Sequence, residues 1–111
     1  MNNLSAGFAL GHPSEVQFSA TVATAPRFFY GSNTHAWHEA FNVRSDGGRG
    51  LEVVDNVALA PPVPVEPGDR VVIRGELVPE ASRGPLVHWT HHDPSGQHED
   101  GFIALGGRVY A

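Results

Sequence analysis

The run "PPVPVEP", Pro61 to Pro67, constrains this chain more than any other stretch. Its four prolines remove four backbone donors and fix four φ angles, so no regular helix crosses it. Glycines and further prolines cut the rest into segments too short for helical periodicity. What remains alternates. In "EVQFSATVATA", residues 15–25, Val16, Phe18, Ala20 and Val22 share one face, while Gln17, Ser19 and Thr21 share the other. That is the pattern of a half-buried strand. Pro26 interrupts it, and "RFFYGSN" reads as a continuation past a bulge. "HAWHEAFNVR", 35–44, is a second strand. "SDGGRG" is a hairpin turn, because glycine and aspartate tolerate positive φ. "LEVVDN" is a third strand. Residues 57–69 then form a long crossing connection, with one helical turn at "NVAL". "RVVIRGELV" is strand four, "PLVHWTH" strand five, and "GFIALGGRVYA" a terminal strand or hairpin.

A three-stranded meander, a crossing connection and two further strands is the order of an OB-type barrel. The expected fold is all-β: a small OB-type five-stranded barrel with an extra C-terminal strand or hairpin. Residues 1–14 read as an irregular arm with room for one helical turn, and 15–111 as a single domain. A β-sandwich is the alternative, but the strands are few and no cysteine pair could join two sheets.

Composition narrows the function. The absence of cysteine removes any disulfide staple and any thiol nucleophile, and fits a reducing, cytoplasmic setting. No apolar run approaches the ~20 residues of a membrane helix, and the opening residues lack the basic and apolar blocks of a secretory signal. All seven basic residues are arginine, and twelve carboxylates leave a formal charge of −5. That charge repels a phosphate backbone at long range and argues against duplex DNA as a partner. It leaves room for a local arginine-lined pocket that takes a nucleotide or a single strand. Arg44, Arg70 and Arg74 are the basic residues expected to face a concave surface. No P-loop, dinucleotide fingerprint or Gly-x-Ser-x-Gly elbow is present.

The chemistry-bearing residues crowd into "LVHWTHHDPSGQH", 86–98, which holds four of the seven histidines. Asp93-Pro94-Ser95-Gly96 fits a type I turn at three positions. The reversal brings His92 near Gln97, or His91 near His98, at the ~4.5–5.5 Å of cross-strand neighbours. Period two places His88 and His92 on one face and Trp89, His91 and Asp93 on the other. Three readings stay open. In the plainest, the imidazoles pin a turn, Asp93 caps N–H groups and Trp89 is core. In the second, His88, His92, Asp93 and His98 hold a divalent transition metal such as zinc, although their spacing matches no standard motif. In the third, His91, His92 and His98 act as acid or base, or contact phosphate. "HAWHE" adds Trp37 and His38 as binding candidates, and "VVDN" adds Asp55 and Asn56, beside His88 and Trp89. The plain alternatives are a core position for Trp37 and a turn cap for the Asp-Asn pair.

"GPLVHWTHHDPSGQHEDGFI" with "GGRVYA", together with "HEAFNVR" and "LEVVDNVALAPPVPVEPGDRVVIRGEL", resembles the bacterial domain-of-unknown-function 3465 family across residues 15–111. The resemblance implies an OB-like fold and carries no established activity. Its motif positions fall on His38, Phe41, Asp55, Asn56, His88, Trp89, His91, His92, Asp93, Pro94, Gly96, His98 and Gly101. A basic residue often stands between the glycine and histidine of that turn. Here it is Gln97, which weakens a phosphate clamp at that point. The leading expectation is a binding module for a small polar or nucleotide-like ligand, or a short single strand. Such a ligand would lie against the histidine hairpin and strand two, with Trp37 or Tyr30 as a stacking face. The rival is a metal-dependent phosphodiesterase or nuclease using the His/Asp cluster. A third class is a structural or inhibitory protein that binds a partner protein through an exposed edge.

Overall fold

Alternation decides which strands form and which face each one buries. The computed structural model describes residues 9–10 and 12–111, with side chains from Ser14 onward. It contains nine strands, and no helix among the described residues. β1 is Ala9–Leu10 and β2 is His12–Val22. β2 turns Val16, Phe18, Ala20 and Val22 inward, all buried, as period two requires. The expected irregular arm lies outside the described residues at 1–8 and 11. Residues 9–10 and 12–14 are strand instead, because β1 pairs back on β2 through Ala9↔Val16 and Leu10↔His12.

β4 is Ala36–Ser45, β5 Gly50–Asn56, β6 Arg70–Val78 and β7 Leu86–His88. β2 pairs β4, β4 pairs β5, β5 pairs β7 in parallel, β7 pairs β6, and β6 returns to β2. That circuit closes a five-stranded barrel in the OB order, with its one parallel pair where the crossing connection demands it. Phe18, Phe41, Val53, Ile73, Val87 and Ile103 fill the interior. Val63 and Val65 from the proline connection are buried in the same core, each worth about 1.5–3 kcal/mol when fully covered. The connection opens with a single turn, in which the Leu59 and Ala60 amides donate to the Asn56 carbonyl at 3.1 and 3.2 Å.

"RFFYG" continues β2 past a bulge, as expected. It is β3 (Arg27–Gly31), antiparallel to the first half of β4 from Arg27↔Ala40 to Gly31↔Ala36, while the end of β2 pairs with the second half of β4 at Val22↔Val43. Pro26 has no N–H for a ladder, so residues 23–26 leave the pairing and β3 rejoins β4 two residues out of register. At the other end, Gly106 and Gly107, with φ of 59° and 83°, join β8 (Phe102–Leu105) to β9 (Arg108–Tyr110). Two successive positive φ angles are the signature of the tight type I′ turn.

Strand five is shorter than its alternation suggests. β7 stops at Trp89, whose φ of 55° leaves the extended region. β8 then takes up the same edge of β6 further along: β7 pairs Glu76–Val78, and β8 pairs Val71–Arg74. Residues 89–101 are therefore an irregular detour between two strands on one edge. The detour presses on β6 so closely that a Cβ at Gly101 would lie 2.1 Å from the Trp89 carbonyl and 2.5 Å from that of Arg74.

Candidate functional site

The outer surface of β4 and β5 carries Ala40, Asn42 and Arg44 from one strand and Gly50 and Glu52 from the other. It forms the floor of a cleft of about 660 Å³. Residues 23–27, between the first two barrel strands, make one wall, and Arg83 and Pro85, between the last two, make the other. Arg27 and Arg83 both reach Glu52 Oε2, at 2.7 and 3.3 Å, with their side chains 49% and 69% exposed. Arg44 donates to the Gly48 carbonyl at 2.8 Å. Three guanidinium groups thus line one cleft on an otherwise acidic chain. Beside it, Phe29 and His38 stack at 5.3 Å between centroids, and the Arg27 guanidinium sits 5.1 Å from the Phe29 centroid. Cross-strand pairing Phe29↔His38 puts both rings on the face that bears Ala40 and Asn42.

The histidine segment folds differently. The Gly96 amide donates to the Asp93 carbonyl at 3.1 Å, so the chain does reverse at Asp-Pro-Ser-Gly. The reversal is a compact loop rather than a strand pair. Asp93 Oδ1 accepts from the Ser95 amide and hydroxyl at 2.9 and 2.8 Å, and Oδ2 accepts from the His98 amide at 2.6 Å. These donors, Ser95 first, hold the Asp93 carboxyl below its usual range. His88 Nε2–H donates to Glu76 Oε1 at 2.8 Å, and His98 Nε2 lies 3.5 Å from Glu76 Oε2. Burial opposes the charge on Glu76. Hydrogen bonds from His88 and Ser14 and the nearby imidazoles outweigh it and keep the carboxyl low. His98 also stacks on Trp89 at 4.3 Å, and His91 lies 5.4 Å from the same ring. His91 Nδ1 donates to the His92 carbonyl, and His92 turns to Asp100 at 3.2 Å.

The residues read as chemical candidates are thus divided. His88 and His98 meet on Glu76, His92 points to Asp100, and Asp93 is committed to the turn. The expected pairings of His92 with Gln97 or His91 with His98 do not form across a ladder, because the strand ends at His88. Among the described residues no group of three or more His, Asp or Glu side chains is arranged to hold a metal ion. Of the other candidates, His38 flanks the cleft. Trp37 is 54% exposed rather than core and meets Tyr30 edge-on. Asn56 caps the turn by accepting from the Ala58 amide at 2.9 Å. Asp55 has no exposed surface, and its Oδ1 accepts from the Thr90 hydroxyl at 2.9 Å. Burial pushes its carboxyl up to about 7, with Glu39 adding to the rise. Of the three arginines expected on a concave surface, Arg44 lines the cleft. Arg70 pairs with Asp46 at 2.7 Å and Arg74 faces Glu15 at 3.5 Å.

Arg27, Arg83 and Glu52 escape a residue-type search, because each is a lone charge on a strand or loop. Strand order is the signal that finds them. Once residues 15–88 are read as an OB circuit, the loops after strands one and four must flank the outer face of strands two and three. Comparison with curated proteins and comparison with solved structures each return no match. A family model described as "Protein of unknown function (DUF3465)" matches residues 9–111. The matched span takes in the barrel, the cleft and the histidine loop together, and the chain belongs to the DUF3465 family.

Proposed function

We propose that the outer face of β4 and β5 binds a short single strand of nucleic acid or a similar nucleotide-like anion. The cleft between residues 23–27 and Arg83–Pro85 carries this reading. It occupies the surface that OB barrels use for oligonucleotides and oligosaccharides. Its three arginines favour the anionic ligand of the two. Phosphate oxygens accept paired guanidinium N–H groups, and the Phe29–His38 stack offers a base a flat neighbour worth ~1–3 kcal/mol. Glu52 sets the affinity. It occupies the guanidinium groups of Arg27 and Arg83 in the free protein, so an incoming phosphate must displace it.

Fluorescence anisotropy of a labelled oligonucleotide tests the reading. Arg27→Ala with Arg83→Ala is expected to weaken binding by at least ~10-fold and to flatten its salt dependence. Glu52→Gln is expected to strengthen it a few-fold by freeing both arginines. Absence of binding at millimolar concentration, or binding that the double variant leaves intact, overturns the proposal. A neutral oligosaccharide that binds instead assigns the cleft to the other ligand class. Cleavage of the probe that requires added zinc and is lost in His88→Ala and His98→Ala replaces the binding module with a hydrolase.

A further inference from the structure

Two side chains in the barrel wall lie outside the lining of the cleft. Glu39 on β4 and Asp55 on β5 are direct partners in the ladder, and neither has exposed surface. Each carboxyl has one oxygen satisfied. The Val63 amide of the proline connection donates to Glu39 Oε1 at 2.9 Å, and the Thr90 hydroxyl, just after β7, donates to Asp55 Oδ1 at 2.9 Å. The other two oxygens, Glu39 Oε2 and Asp55 Oδ2, are buried without a hydrogen-bond partner.

Among the described residues, the surroundings supply no counter-charge. Neither carboxylate takes part in an ion pair with an arginine or histidine among the described residues. From β3, the residue opposite Glu39 is Phe28, and Tyr30 is turned to Trp37. On β4, His38 faces the other side and stacks on Phe29. On β5, Glu52 is taken up by Arg27 and Arg83. In the proline connection, Asp69 accepts from the Glu66 amide within its own turn. After β7, the buried His91 gives its Nδ1–H to the His92 carbonyl.

Two like charges side by side, away from water and without a cation, cannot both persist. Cross-strand partners lie ~4.5–5.5 Å apart at Cβ, within reach of a carboxyl–carboxylate hydrogen bond. One proton between the two bare oxygens satisfies both. We propose that Glu39 and Asp55 share a single proton through Oε2 and Oδ2, and that this proton is a latch. While it is held, the pair anchors the proline connection through Val63 and the segment after β7 through Thr90. When it leaves, a second negative charge appears in the wall and both anchors loosen. Burial raises both carboxyls, and each lacks donors enough to offset it. The latch is independent of whatever the outer face binds.

Carboxyl carbon-13 NMR of the intact protein from about pH 4 to about pH 9 tests it. In the wild type the two carboxyl signals should move together, the last proton leaving near neutrality. The Val63 and Thr90 amide signals should shift in the same step. In Glu39→Gln the amide group supplies Asp55 Oδ2 with a donor, so Asp55 should titrate alone, at least ~1 unit lower, and the Val63 response should vanish. Asp55→Asn should give the mirror result at Glu39. Independent titration of the two carboxyls in the wild type, or a Val63 amide that ignores their titration, overturns the proposal. Those two readings need no variant, so they decide the matter even where a substitution prevents folding.

Discussion

The barrel wall and the 89–101 loop treat buried carboxyls in opposite ways. Asp55 and Asp93 are both nearly inaccessible, at 0% and 4% exposure. Burial pushes Asp55 up, whereas Asp93 is held low. Depth and the supply of donors both separate them. Asp55 lies deep in the wall, where desolvation is the largest cause of its rise. Asp93 lies in a shallow loop, where hydrogen bonds outweigh desolvation. Asp55 accepts from one hydroxyl and the Asn56 amide. Asp93 accepts from the Ser95 hydroxyl and from the amides of Ser95, Gln97 and His98. The reason is structural. In a barrel wall, backbone N–H groups are committed to neighbouring strands, so a carboxyl there finds few of them. In a turn they are uncommitted, and an aspartate at its first position collects them. One fold therefore carries acids of opposite pH response on the two sides of Trp89.

The largest effect comes from separating the two regions. Gly101 lets the loop lie on β6, and an alanine Cβ there would meet two backbone oxygens that cannot swing aside. Gly101→Ala is expected to cost upwards of about 4 kcal/mol in urea unfolding, at the severe end for one substitution. Gly96, with φ of 70° and nothing within 4 Å of its Cβ position, bears only backbone strain. Its alanine variant should lose about 1 kcal/mol. Equal losses at both sites would show that the close seat on β6 is unimportant.

Next in size is the pH slope of the wall. Asp55 holds its proton up to about 7 when folded and up to ~3.9 when unfolded. Between those values the folded chain binds the extra proton, so stability must fall as pH rises. The span of about 3 units corresponds to a loss of up to about 4 kcal/mol, complete once the folded value is passed. The slope belongs to the Glu39–Asp55 pair rather than to either acid alone. Urea midpoints at about pH 5 and about pH 8 should show it, and Asp55→Asn should remove it. A wild-type midpoint that climbs across that window would contradict the assignment.

These contrasts explain what could be read from the chain. The barrel was legible because alternation at Val16, Phe18, Ala20 and Val22 and the breaks at Pro26 and Pro61 to Pro67 are local signals. The reversal at Asp93 was legible for the same reason, since Asp-Pro-Ser-Gly carries its own turn chemistry. Trp89 hid the loop's true path. Nothing in its identity announces a left-handed backbone, so alternation runs a strand through it and sorts the histidines by a parity that ends at His88. Glu76, which gathers His88 and His98, sits twelve residues before the first of them and meets it only because β6 and β7 pair. Glu39 shares the parity of Phe41 and Val43, which places it on the inward face, but its partners there, Asp55 across the ladder and the Val63 amide of the proline connection, are long-range facts.

The smallest effect isolates the loop's half of the comparison. Asp93→Asn keeps the shape of the side chain but replaces one acceptor oxygen with a donor. Asp93 uses both oxygens, one for Ser95 and one for the His98 amide, so either orientation of the asparagine leaves one amide facing a donor. The barrel core is untouched, so the melting temperature at neutral pH should drop by only a few degrees. The sign of the pH effect is the sharper readout. A carboxyl held below its unfolded value gives stability that is present above about pH 4 and lost on acidification through the folded value. The variant should therefore lessen the stability lost on acidification below about pH 4 while leaving the wall's fall in stability between about pH 4 and about pH 7 unchanged. Its His98 ring signals should also move, because the stack on Trp89 is positioned by the amide that Asp93 holds. A variant that alters the wall's fall between about pH 4 and about pH 7 as much as the loss below about pH 4 would mean that the two regions titrate as a single unit, and the contrast drawn from donor supply would fall.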